Sequence, residues 1–215
     1  MEITIIWIND KGNEKRYNHM TEMLNRYFPD NPKMRVDAIY IKPKYHGVTV
    51  AQSVALQKGL LTGKPFIVLE DDVNLSEDFD INILRKVLEL KPKALYLGLS
   101  TWGDIRNVDM KDKYKIEGEE VLFRHGATGS IEDENVIKIN NMYGAHAILY
   151  CDMKYVLKTL RLCHAALMMD KPHDILLPYL QRKYKVLGLR SPMFYQDRRI
   201  GGQENETNFS LREKN

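Results

Sequence analysis

The stretch Pro65-Phe66-Ile67-Val68-Leu69-Glu70-Asp71-Asp72-Val73 carries an apolar run straight into three consecutive carboxylates. An unbroken apolar run bounded by turn-formers predicts a central strand covered on both faces, as in a parallel sheet. The carboxylates at its C-terminal end need compensation, because unpaired charge in a dry interior costs several kcal/mol. A cationic partner is therefore expected there. In open α/β sheets the carboxyl ends of the strands are also where ligands bind, so this junction is the candidate active site.

The flanking sequence supports such a sheet. Residues 3–8 predict a first strand, and Tyr17, Met20, Met23, Leu24, Tyr27 and Phe28 keep helical spacing after Gly12-Asn13. Residues 34–41 predict a second strand. Thr49 with Gln52 reads as a capping box opening a helix to Leu61, stopped by Thr62-Gly63-Lys64. A helix from Ser76 to Leu90 and an apolar strand at 94–99 follow the acidic strand. This β-α-β-α-β-α-β order implies parallel strands joined by crossovers.

Residues 100–120, with Trp102, Gly103 and mixed charges, read as a surface excursion. Beyond them, short strands are predicted at 121–124, 136–139 and 145–150, with turn signals at Gly126, Gly129 and Asn140-Asn141. A helix begins at Asp152 with Met153, Val156, Leu157 and Leu160 inward. Another starts near Asp174, with Pro178 close to its first turn. A strand at 184–189 precedes a polar, Gly-rich tail from Arg198, expected to be mobile or ordered by ligand. The organisation expected is one domain over 1–197, a ligand-binding half (1–100) and an acceptor-side half (101–197), followed by the 198–215 tail.

Charge and composition narrow the function classes. Thirty-two basic and 29 acidic residues, well interspersed, give a net charge of +3, which argues against a nucleic-acid binder with its basic stripe. Neither a signal peptide nor an apolar run of membrane-spanning length is evident, so a cytoplasmic chain is expected. Cys151 and Cys163 read as a pair of reduced, buried thiols.

In an extended chain, Glu70 and Asp72 share one side and Asp71 the other. Two same-side carboxylates hold a hard divalent ion of the magnesium type, whose shell is completed by water and substrate phosphates. The plainer alternative is an acidic turn ahead of the helix at Ser76. Asn9-Asp10, ending the first strand, offer hydrogen bonds to a base or ribose, and Arg16 a charge for a phosphate; equally, Asp10-Lys11-Gly12-Asn13 is a turn with a helix cap. Asp174 is either an N-cap or a general base at the pocket mouth. His146, in Gly144-Ala145-His146-Ala147, reads as a core histidine. His125, His146, His164 and His173 lack zinc spacing, and no Walker loop, Gly-x-Gly-x-x-Gly fingerprint or Gly-x-Ser-x-Gly elbow occurs.

Taken together, these segments resemble the family 25 glycosyltransferases of lipooligosaccharide and collagen-galactose type. Phe66–Val73 resembles that family's Leu-Glu-Asp-Asp segment. Ile5-Ile6-Trp7-Ile8-Asn9-Asp10 with Arg16 is similar to its opening strand and downstream arginine. Gly47-Val48-Thr49 resembles its Gly-x-x-Gly-Cys-x-x-Ser helix entry without the second Gly and the Cys. Tyr143-Gly144-Ala145-His146-Ala147-Ile148-Leu149 resembles its Gly-Thr-His-Ala-Tyr segment. The likeness covers residues 1–160 and, more loosely, Asp174 and Gln196-Asp197; the short chain and the 100–120 excursion depart from it. Compact chains of this kind also resemble glycosyltransferases of large algal viruses.

The resemblance implies an α/β fold: a single GT-A (Rossmann-like) domain, its mostly parallel sheet flanked by helices, with a smaller mixed C-terminal part. It implies a UDP- or GDP-sugar donor, a glycan acceptor, transfer with inversion, and Mn²⁺ or Mg²⁺ as cofactor. Asp72, with Glu70, would hold the metal. Ile8, Asn9, Asp10, Arg16, Glu70 and Asp71 would bind the nucleotide-sugar. Asp174 would deprotonate the acceptor, Asp197 is a second candidate for metal or acceptor contact, and Arg198 and Arg199 would close over the diphosphate. Two other readings stand beside it: a non-catalytic nucleotide-sugar-binding module, and a metal-dependent nucleotidyltransferase.

Overall fold

The computed structural model describes residues 3–77, 80–100 and 128–201, and the backbone course of 112–116 and 119–123. In chain order the elements are β1 (Thr4–Asn9), α1 (Glu14–Tyr27), β2 (Lys33–Asp37), α2 (Lys44–Thr62), β3 (Phe66–Glu70), β4 (Val73–Leu75), α3 (Ile81–Glu89), β5 (Ala94–Tyr96), β6 (Asp112–Ile116), β7 (Glu119–Phe123), β8 (Thr128–Ile131), β9 (Val136–Asn141), β10 (Ala147–Tyr150), α4 (Met153–Met168), a 3-10 turn (Asp174–Leu176), α5 (Leu177–Lys183), β11 (Val186–Leu189), β12 (Phe194–Gln196) and a last 3-10 turn (Arg198–Ile200).

Among the described residues the main sheet has eight strands in the order β2-β1-β3-β10-β5-β11-β9-β8. Strands β1, β2 and β3 pair in parallel, as do β5 and β11; β10 is antiparallel to both β3 and β5, and β9 to β11 and β8. Six strands therefore share one direction. The chain is an α/β fold with a mostly parallel central sheet.

Strand alternation sends side chains to two cores. Ile6, Phe66, Val68, Tyr96, Ile148 and Tyr150 meet α2, α4 and α5, whereas Ile5, Trp7, Ile67, Leu69, Leu95 and Leu149 meet Met20, Met23 and Leu24 of α1 and Leu84 and Val87 of α3. Helices thus cover both faces, which explains why β3 reads as unbroken apolar sequence. Full burial of a side chain such as Leu69 contributes roughly 1.5–3 kcal/mol. Tyr27, Leu61 and Leu157, counted to the inward helical stripes by spacing, are about half or more exposed.

Several boundaries differ from expectation. Strand β2 stops at Asp37, and residues 38–42 leave the sheet toward the ligand edge. Helix α2 starts at Lys44, so Thr49 lies within it: its hydroxyl donates to the Tyr45 carbonyl at 2.8 Å instead of capping. The early start holds α2 against the 39–41 segment, where a Cβ on Gly47 would come 1.9 Å from the Ile39 carbonyl oxygen. Gly63 ends α2 in the left-handed conformation, as expected. Helix α3 begins only after Asp80, whose side chain caps Asn82, because Val73–Leu75 is spent on pairing with Phe194–Gln196.

The 112–116 and 119–123 segments, expected as excursion followed by a strand at 121–124, pair as an antiparallel hairpin. Trp102, Gly103, Arg124, Gly126 and the expected tail over 202–215 lie outside the described residues. Asp152 caps α4 through the Tyr155 N–H at 2.9 Å, as predicted. Both cysteines are free; Cys163 is buried but Cys151 only partly so.

Because the atom a Cβ at position 47 would strike is a backbone oxygen, no rotamer change relieves the clash. Gly47→Ala is expected to destabilise the fold by about 1–3 kcal/mol, read as a lower urea midpoint at unchanged slope.

Candidate functional site

A cleft of about 520 Å³ opens at the carboxyl ends of β1 and β3. Strand β10 reaches it too, because an antiparallel strand between β3 and β5 starts where its neighbours end; the Glu70 N–H donates to the His146 carbonyl at 2.9 Å. Ile8, Asp10, Arg16, Glu70, Asp71, Asp72, His146 and Asp174 all line the cleft. These are elements as far apart in sequence as β1 and the 174–176 turn.

The chain leaves the strand conformation after Glu70. Asp71 and Asp72 form a turn into β4, so strand alternation does not apply and all three carboxylates border the cleft. Asp71 is the most enclosed by donors: Asn9 Nδ2 and the Asp10 N–H at 2.9 Å each, and Arg16 Nη1 at 2.6 Å. Asn9 is fully buried and serves Asp71 from behind the cleft wall; its Oδ1 has no partner among the described residues. Arg16 is likewise committed. Its Nε donates to the Ile200 carbonyl at 2.9 Å and Nη2 to that of Gly201 at 2.7 Å, and Nη2 lies 3.7 Å from Asp72. Residues 198–201, the described start of the expected mobile tail, thus fold back against α1.

Glu70 and Asp72 converge on one amide. Gln196 Nε2, delivered by the β4–β12 pairing, lies 3.3 Å from Glu70 Oε2 and 3.2 Å from Asp72 Oδ1. Burial, then the charges of Asp72, Asp174 and Asp71, push the Glu70 carboxyl up to about 8. Burial also raises Asp72, against the pull of Gln196 and Arg16. Asp10, at the exposed mouth, is held low by its hydrogen bond with the Tyr40 hydroxyl and by the Gly12 N–H.

Asp174 opens the 3-10 turn without capping it. Its carboxylate has no hydrogen-bond or ion-pair partner among the described residues, and its charge is felt at Glu70. Asp197 does not line the cleft: Arg199 and Asn74 hold its carboxylate, and the Arg199 bond lowers it to about 2. That pairing corrects the expectation of a metal or acceptor contact from Asp197, and commits Arg199 to the same pair. His146 is 3% exposed, and burial lowers it to about 4, so it is a neutral histidine at the cleft edge.

The wall also includes Tyr40, Lys44, Tyr45 and His173, none of which sequence reasoning placed in the site. Residues 40–45 read as a strand end and a linker, and His173 as the neighbour of a cap. The only sequence signal available was the cluster of aromatic and basic side chains around Pro43.

Of the described residues lining the cleft, five carboxylates (Asp10, Glu70, Asp71, Asp72, Asp174) face two cations, Arg16 and Lys44. Among the described residues no three His, Cys, Asp or Glu side chains converge as a metal cage. What the cleft offers is an open donor set, two crowded carboxylates and the amide of Gln196. That suits a hard divalent ion taking the rest of its shell from water and phosphate.

No family model and no curated protein matches the sequence. Among solved structures, the chain is similar to a glycosyltransferase involved in glycosylation of the major capsid of PBCV-1 (9% identity, TM-score 0.45, covering 75% of this chain and 66% of that one). It is also similar to the glycosyltransferase GlyE of Streptococcus pneumoniae TIGR4 (12%, 0.44, 86% and 45%). A third is the CTP:phosphocholine cytidylyltransferase LicC of Streptococcus pneumoniae (9%, 0.43, 92% and 94%). The chain spans just under two thirds of the first and under half of the second. At TM-scores below 0.5 these likenesses assign neither family nor activity.

The raised Glu70 carboxyl makes stability depend on pH. Between its ordinary value of 4.5 and about 8, folded Glu70 keeps a proton that the unfolded chain has lost; stability therefore falls as pH rises through that window. Glu70→Gln is expected to flatten this fall and to raise the urea midpoint near pH 8, measured against wild type across the same range.

Proposed function

We propose that the protein is a metal-dependent glycosyltransferase, moving a sugar from a UDP- or GDP-sugar to a glycan acceptor. The observation that carries this reading is the crowding of Glu70 and Asp72 at the strand edge, where the described cleft residues include five carboxylates and two cations. A nucleoside diphosphate entering such a cleft alone would meet like charge. With a divalent ion the repulsion becomes attraction, and the desolvated carboxylates gain the partner they lack.

Asp72 and Glu70 would hold Mn²⁺ or Mg²⁺, with the Gln196 amide turned to present its oxygen. Bound there, the ion would supply Lewis-acid stabilisation to the leaving diphosphate. Ile8, Asp10 and Lys44 border the space for the nucleotide, while Asn9 and Arg16 act through Asp71 to keep the β1 and β3 ends together. Asp174, unpaired and in the same cleft, would accept the proton of the attacking hydroxyl; a single base of this kind suits direct displacement with inversion. A nucleotidyltransferase would need free cations near Asp10 to grip a triphosphate. Against that, Lys15 donates to the Arg199 carbonyl at 2.6 Å and Arg16 is committed to Asp71, which leaves Lys44 as the one described cleft cation for such a grip.

Manganese with UDP or GDP at about a hundred times Kd is expected to stabilise the fold by about 2.7 kcal/mol, roughly 5–10 °C in melting temperature. Asp72→Asn should remove most of that shift. A flat response to both nucleotides with either metal would sink the reading. Asp174→Asn should keep the nucleotide shift while sugar transfer falls by about 10²–10⁴-fold; an unaltered transfer rate would exclude Asp174 as the base.

A further inference from the structure

A second stretch of cleft wall, formed by the first turns of α2 and the 172–174 turn, differs from the acidic floor in chemistry. It presents the Tyr45 ring, the half-exposed Val48 side chain, His173 and the unpaired Asp174. Tyr45 is pinned by its hydroxyl, which donates to Asp170 Oδ1 at 2.7 Å. His173 is 4% exposed, and its Nδ1 lies 3.3 Å from the hydroxyl of fully buried Thr49.

The hydrogen bonds determine the state of that imidazole. Thr49 has one hydroxyl proton, and it goes to the Tyr45 carbonyl at 2.8 Å. Toward His173 the Thr49 oxygen can therefore only accept, so Nδ1 carries the ring proton and Nε2 keeps a bare lone pair. Burial, lowering the His173 pKa, keeps the ring neutral. Nε2 is buried and has no partner among the described residues. A buried acceptor without a donor costs about 1–3 kcal/mol, so a ligand hydroxyl that reaches Nε2 as the cleft wall gives way is its natural complement.

We propose that Tyr45, His173 and Asp174 form the subsite for the acceptor saccharide, a pyranoside lying against the Tyr45 ring with one hydroxyl donating to His173 Nε2. The assignment rests on the glycosyltransferase reading and gives that acceptor a chemistry. It carries, beside the hydroxyl that Asp174 deprotonates, a second hydroxyl read by a neutral acceptor. An aromatic face with adjacent neutral and anionic acceptors matches a sugar ring, which presents C–H groups on one face and O–H donors at its edge.

The test is ¹⁵N-imidazole NMR of the full chain, titrated with methyl glycosides of glucose, galactose, mannose and xylose. The free protein should show His173 as the Nδ1–H tautomer, and at least one glycoside should shift the Nε2 resonance. His173→Leu should weaken that glycoside about tenfold, while His173→Gln, whose amide oxygen stands in for Nε2, should largely restore it. An Nε2–H tautomer, an Nε2 signal unmoved by every glycoside (an enclosed water only), or equal affinity in His173→Leu would overturn the subsite. UDP or GDP with Mg²⁺, titrated into the same samples, separates the two claims. Glycoside shifts without nucleotide binding would sink the transferase reading and leave the saccharide subsite standing.

Discussion

The carboxylate of Asp71 ties together four pieces of chain: the ends of the paired strands β1 and β3, helix α1 and the 200–201 segment. It takes donors from the Asn9 side chain, the Asp10 backbone and the Arg16 guanidinium, and Arg16 in turn holds the carbonyls of Ile200 and Gly201. Three charge-assisted donors offset the desolvation of an ion that is 6% exposed. With Asp71 satisfied, the ends of β1 and β3 are locked side by side, and the chain can turn at 71–72 and send Asp72 back beside Glu70. The first answer to the expected counter-charge is therefore internal: it is Arg16. Glu70 and Asp72 share the Gln196 amide, and of the two only Asp72 comes within 3.7 Å of Arg16.

Around this anchor the acidic floor and the mixed wall divide the cleft. On the floor, burial together with neighbouring negative charge pushes Glu70 up to about 8 and raises Asp72. The wall carries a neutral imidazole, an aromatic ring and one unpaired carboxylate. On the function proposed, such a division would give a metal-bound diphosphate and an uncharged polyhydroxylated partner separate sides of one cleft, without either having to cross unfavourable charge.

Legibility in the sequence followed the range of the interactions. The strand at Phe66–Glu70, the α1 stripe of Met20, Met23 and Leu24, the Asp152 cap and the Gly63 stop rest on contacts within a few residues, and all appear where periodicity and capping rules put them. The start of α2 did not: Thr49-x-x-Gln52 satisfies the capping pattern, yet packing against residues 39–41 extends the helix back to Lys44. Likewise no local pattern marks Val73–Leu75 as a strand, because its partner, Phe194–Gln196, lies 119 to 123 residues away. A straight strand would send Asp71 to the far side; the turn at 71–72 removes that alternation.

By itself, then, the sequence determined that a buried strand must end in carboxylates beside the ligand edge of an α/β sheet, because hydrophobic run length and charge cost are local properties. Only the tertiary structure decided which carboxylate is neutralised from within, that β10 enters antiparallel and brings His146 to the same edge, and that Gln196, Tyr45 and His173 join the cleft. Those choices depend on pairings and hydrogen bonds between segments 50 to 130 residues apart, and no pattern within a short window encodes them.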